Sequence, residues 1–81
     1  MFKVGRVSHY YERTKTVVIE LIADLALGEK IKIYNPRRDD FEQIVGQMKI
    51  ENENIRLAKR GETIVLAVEK GVDIDAEIYK V

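Results

Sequence analysis

Leu27-Gly28-Glu29-Lys30-Ile31-Lys32-Ile33 and Arg60-Gly61-Glu62-Thr63-Ile64-Val65-Leu66 are the two stretches on which the fold of this 81-residue chain turns. In each, a glycine free to take backbone angles that other residues resist precedes a glutamate and a run of alternating apolar side chains. Each therefore reads as a tight turn that feeds a strand with one buried face. Ile31 and Ile33 fall inward in the first, with Lys30 and Lys32 outward; Ile64, Leu66 and Val68 fall inward in the second.

Working outward, the rest of the chain keeps the same period of two. Ten isoleucines and nine valines against five leucines favour strands, because branching at Cβ restricts the side chain in a helix. Six strands are expected, over residues 2–11, 15–22, 30–34, 41–50, 62–69 and 77–81. In the first, Val4 and Val7 have opposite parity with Gly5 between them, which a bulge reconciles. The second buries Val17, Ile19 and Leu21, and Glu12-Arg13-Thr14 links the two as a short hairpin. Asn35-Pro36-Arg37-Arg38-Asp39-Asp40 is the strongest turn signal. Gly46 suggests a bulge in the long fourth strand, while residues 51–60 break the alternation and suggest a helical turn carrying Ile55, Leu57 and Ala58. Many short strands, no amphipathic helix and little free edge imply an all-β, small, closed six-stranded barrel forming a single domain over residues 1–81.

Composition excludes several classes. No cysteine is present, so there is no disulfide framework, thiolate metal site or cysteine nucleophile. The N-terminal residues lack the apolar run of a signal peptide and no segment is long enough to cross a bilayer, so a cytoplasmic protein without a membrane partner is expected. Fourteen basic and fourteen acidic residues give no global pull on nucleic acid, although the basic excess lies before Asp39 and the acidic excess after Arg60. A charged fraction of 35% with a single serine fits a heat-tolerant source.

Gly5-Arg6-Val7, Leu27-Gly28-Glu29-Lys30-Ile31, Phe41-Glu42-Gln43-Ile44-Val45 with Met48, Ala58-Lys59-Arg60-Gly61-Glu62 and the final Ile78-Tyr79-Lys80 occur in an order and at gaps that resemble a known barrel. That series resembles domain two of elongation factor Tu. It resembles still more the C-terminal barrel of collagenase-like peptidases, in which His9-Tyr10-Tyr11 and the Phe-Glu-Gln run also have counterparts. Glu29 and Glu62 stand where aspartate is commoner, a change that keeps charge and capping ability. The resemblance implies association with tRNA, ribosomal RNA or a ribonucleoprotein, or alternatively a protein-protein accessory role beside a peptidase. It implies no nucleotide cofactor, since the phosphate-binding glycine loop of a GTPase is missing.

From the residues themselves, RNA contact calls for aromatic rings beside cations. Two clusters qualify: His9, Tyr10 and Tyr11 with Arg6, Arg13 and Lys15, and Tyr34 with Arg37 and Arg38. The plainer reading is that tyrosines complete a small core and that arginines at a turn are solvated. A protein partner would instead use apolar positions such as Val18, Val65 or Phe41. No catalytic group, cofactor or metal is expected. Ser8 and His9 are adjacent on a strand and should leave opposite faces, so they cannot pair as nucleophile and base. Asp73 and Asp75 share a face but lack calcium-loop spacing.

Overall fold

In the computed structural model, which describes residues 2–81, both glycine-glutamate turns form as their sequences require. Gly28 and Gly61 sit at φ 89° and 91°. The Glu29 and Glu62 amides donate to the Ala26 and Lys59 carbonyls at 3.3 and 3.0 Å, which with the positive-φ glycine in third place is the type II turn. Each glutamate then turns back on its own loop. Glu29 Oε1 accepts from the Ala26 amide at 2.7 Å and Glu62 Oε1 from the Lys59 amide at 2.6 Å. The two turns thus use one device, a carboxylate closing the loop that its own backbone opens.

The described residues form ten strands: β1 (Phe2–Tyr11), β2 (Thr16–Leu21), β3 (Leu25–Ala26), β4 (Lys30–Tyr34), β5 (Phe41–Ile44), β6 (Met48–Ile50), β7 (Glu53–Ile55), β8 (Leu57–Ala58), β9 (Thr63–Ala67) and β10 (Glu77–Lys80). Eight form one antiparallel sheet in the order β5-β4-β10-β1-β2-β9-β6-β7, and β3 pairs with β8 separately. Leu25 lies opposite Ala58 in that small pair, so the segments leading into the two glycine-glutamate turns run antiparallel side by side. The core is aliphatic. Val17, Ile19, Leu25, Ile31, Ile33, Leu66 and Ile78 are fully buried, in agreement with the alternation along β2, β4 and β9. The expected bulge in β1 is present between Lys3 and Gly5, and it lets Val4 and Val7 both face inward.

Three expectations fail. The sheet is not a closed six-stranded barrel but a curled, open half-barrel, whose terminal strands β5 and β7 do not pair with one another. The long strand expected over residues 41–50 breaks at residues 45–47, because Val45 and Met48 are both buried yet have opposite parity. Its first half, β5, pairs with β4, and its second, β6, with β9. Nor is there a helical turn over residues 51–60, and the described residues contain no helix. Glu51 and Asn52 take φ of 50° and 67° between the Ile50–Glu53 pair, forming a two-residue hairpin turn of the primed type. That turn normally advertises itself as Asn-Gly, and Glu-Asn hides it.

The break leaves an opening that a side chain spans. Buried Gln43 on β5 donates through Nε2 to the Ala67 carbonyl of β9 at 3.0 Å, and its Oε1 accepts from the Glu69 amide at 2.9 Å. Its carboxamide thereby does what a peptide group would do in a continuous ladder. At the far end, Asp73 locks the proline turn. Its carboxylate accepts from the Arg37 amide at 2.7 Å and Arg38 Nε at 2.9 Å, while its own amide donates to Asn35 Oδ1 at 2.9 Å.

Candidate interaction surface

The register of the sheet brings the two basic-aromatic clusters to one region. Glu77, the first residue of β10, lies opposite Arg6 on one side and Tyr34 on the other. The two clusters therefore flank the start of β10. Their members are in different states. His9 and Tyr11 are exposed, with rings nearly parallel at 9° and centroids 6.2 Å apart. Tyr10 points the other way, is half-buried and packs against the core. Arg6, Arg13 and Lys15 are exposed. Tyr34 is half-buried, meets Tyr79 edge-to-face at 5.3 Å, and has Lys32 Nζ 4.9 Å from its ring centre. Arg38 is committed to Asp73, whose side chain is only 5% exposed, and Arg37 is tied to the same carboxylate through its backbone. The second cluster is thus largely a structural hub, whereas the first presents free surface.

Beside the first cluster, the outer wall of β1 carries a groove of about 470 Å³ lined by Lys3, Arg6, Ser8, Glu20 and Asp75 among others. Gly5 also lines it. A Cβ at that position would lie 2.5 Å from the Glu20 carbonyl, so β1 and β2 approach more closely here than any side chain permits. Lys3 is paired with Glu77 at 3.4 Å, so the groove holds cations and acids in rough balance. Glu20 carries no motif that would have marked it in the sequence, and Asp75 stands out there only for sharing a face with Asp73. Tyr79, on the outer face of β10, has its phenol pushed above the usual value by desolvation, then by its hydrogen bond to Glu77 and the nearby charges of Glu77 and Tyr34.

The expectation that Ser8 and His9 diverge is corrected. A second bulge between Val7 and His9 undoes the alternation, and His9 Nδ1 lies 3.3 Å from Ser8 Oγ. Ser8 Oγ also donates to the Val18 carbonyl at 3.3 Å, and which partner donates in the Ser8–His9 contact depends on the imidazole tautomer. Asp73 spends its oxygens on Arg37 and Arg38, and no group of three or more acids or histidines among the described residues is arranged for a metal. Phe41, named as an apolar contact point, is 8% exposed and belongs to the core; Val18 and Val65 are half-buried. The exposed apolar residues Leu27 and Leu57 lie instead at the β3–β8 pair. No helix among the described residues is long and apolar enough to cross a membrane.

No protein-family model matches the chain. A stretch of 62 residues, 76% of the chain, is 32% identical to part of an uncharacterized protease of Methanocaldococcus jannaschii, and it spans 15% of that protein's length. Among solved structures, the chain superposes on the C-terminal domain of a Geobacillus thermoleovorans protein assigned as a U32 peptidase, with a TM-score of 0.90 and 15% identity, covering 96% of this chain and 90% of that one. The selenomethionine form of the same domain gives a TM-score of 0.90 at 14% identity, covering 96% and 98%. The fold is therefore that of a U32 peptidase C-terminal domain, the collagenase-like likeness that the sequence carries, and nothing in these relatives supports the likeness to a translation factor.

Proposed function

We propose that this chain is a non-catalytic accessory module that acts by binding a protein partner, in the manner of a domain attached to a peptidase-type enzyme. The reading is carried by the superposition on an isolated peptidase C-terminal domain along nearly the whole chain. It is supported by the 32% identity to part of a protease whose remaining length lies outside the matched segment. The surface agrees with it. The groove on β1 mixes Lys3 and Arg6 with Glu20 and Asp75, a balance that suits a polypeptide better than a polyanion. The second basic cluster has its Arg38 neutralised by Asp73.

The test captures partners of the tagged full chain from lysate of its source, identifies them by mass spectrometry, and measures tRNA binding by fluorescence anisotropy across a salt series. Enrichment of a peptidase-type polypeptide, with tRNA affinity weak even at low salt, is the expected result. Tight, salt-dependent tRNA binding without an enriched protein overturns the reading.

A further inference from the structure

We infer that the free edge of β1 over residues 8–11, with the groove that leads into it, receives an extended peptide segment of a partner protein by strand addition. This deepens the accessory-module reading and rests on it. β1 is ten residues long, while its neighbour β10 has four. The β1–β10 ladder runs from Phe2 to Arg6, and Val7 makes the last backbone bonds on that side, to Ala76 and from Asp75, both at 2.9 Å. Beyond it, residues 8–11 pair with β2 alone, and no other backbone group among the described residues bonds to their second edge.

The cause lies at Asp75. Its φ of 73° turns the chain away from the line of β10, so residues 72–74 leave the slot they would fill as a longer strand. β2 keeps residues 8–11 extended, and an added strand would find its hydrogen-bonding partners already in place. Sheet edges are commonly blunted by lysine, proline or bulges, because unpaired donors and acceptors recruit other strands. Ser8-His9-Tyr10-Tyr11 has neither lysine nor proline, and its one irregularity is the bulge before His9.

Side chains beside this edge supply selectivity. The exposed His9 and Tyr11 rings stand two residues apart on the outer face, where the alternate residues of an added strand would lie next to them. Arg6, Glu20 and Asp75 line the groove where the edge begins, offering both signs of charge to the residues that follow. A four-residue backbone edge together with a charge-balanced groove fits an extended polypeptide. Peptides that add to a sheet edge take affinity from main-chain bonds and specificity from alternate side chains.

The experiment pans a random linear 12-residue peptide library against the full chain and measures recovered peptides by anisotropy. Hydrogen exchange of the chain locates the site, and each peptide is also made with alternate backbone amides N-methylated. Recovered peptides are expected to slow exchange at residues 8–11. Methylating one alternating set should weaken binding at least tenfold and methylating the other much less, because only every second amide of an added strand faces its neighbour. The double variant His9→Ser with Tyr11→Ser, first checked for an unchanged urea midpoint, should bind about five- to tenfold more weakly, the worth of two cross-strand contacts.

Failure to recover any peptide, equal sensitivity to both methylation sets, or protection elsewhere, as around Leu27 and Leu57, overturns the proposal. Protection elsewhere leaves the accessory reading standing. Twelve-nucleotide single-stranded RNA protecting residues 8–11 more strongly than any peptide overturns it in favour of nucleic acid. Peptide binding at the edge without a peptidase-type partner in the capture experiment refutes only the accessory reading.

Discussion

Replacing Gln43 tests how the open sheet is held. The residue is 6% exposed and its carboxamide makes three bonds, from Nε2 to the Ala67 carbonyl at 3.0 Å and the Ile44 carbonyl at 3.3 Å, and to Oε1 from the Glu69 amide at 2.9 Å. Gln43→Leu keeps the approximate volume but leaves the Ala67 carbonyl and the Glu69 amide without partners. Each unsatisfied group costs about 1–3 kcal/mol, and the added apolar burial offsets part of this, so a loss of about 2–4 kcal/mol is expected. In a domain whose whole stability is about 5–15 kcal/mol, that moves the melting temperature by roughly 10–25 °C. Urea unfolding gives the magnitude, and exchange at the Glu69 amide gives the location. Gln43→Glu adds a pH signature. Near neutrality the carboxylate accepts from Glu69 but cannot donate to Ala67, and burial raises its folded pKa above the usual ~4.3 of glutamate. Its neutral form is close in shape to the amide, so the gap to wild type should be small below pH ~4 and widen as pH rises through the folded pKa. A Gln43→Leu protein within about 0.5 kcal/mol of wild type, a common scatter for surface changes, with unchanged exchange at Glu69, would refute the bridging role.

Four further outcomes follow from the same structure. Gly5→Ala drives a methyl to 2.5 Å from the Glu20 carbonyl and 2.7 Å from Ile19 Cγ2, so a loss of about 3 kcal/mol or more is expected in urea unfolding. Glu51→Asn with Asn52→Gly places preferred residues at the two positive-φ positions and should raise stability by about 1–2 kcal/mol, read as a higher melting temperature. Asp73→Ala removes acceptors from the Arg37 amide and Arg38 Nε and should cost about 2–3 kcal/mol, with faster exchange at Arg37 as the local marker. Because the phenol of Tyr79 is raised in the folded state, its contribution is complete below the unfolded tyrosine value of about 10 and is lost as pH climbs through the higher folded one. Tyr79→Phe should therefore lose less stability than wild type between pH 9 and about 11, measured by urea midpoints across that range.

The sequence alone determined the two glycine-glutamate turns and the inward faces of β2, β4 and β9. Glycine at positive φ and a strict two-residue alternation are local properties, and Gly28, Gly61, Ile31, Ile33, Val17, Ile19, Ile64 and Leu66 stand where those rules put them. Local rules also marked the β1 bulge through the parity conflict at Gly5. They failed where two local readings competed. Glu51-Asn52 conceals a primed hairpin turn, and residues 41–50 look continuous although Val45 and Met48 cannot share a face without a break.

Which aromatic groups are free was settled only by packing. Tyr10 and Tyr11 are neighbours of the same type, yet one joins the core and the other stacks on His9 in solvent. Arg38 looks as available as Arg6 until the chain brings Asp73 to it across 35 residues. The half-closed sheet, the Gln43 bridge over its opening and the unpaired edge at residues 8–11 likewise arise from where distant segments stop pairing. Alternation fixes which side a residue faces, but long-range register and chain departure points fix what stands opposite, and these depend on the whole set of contacts.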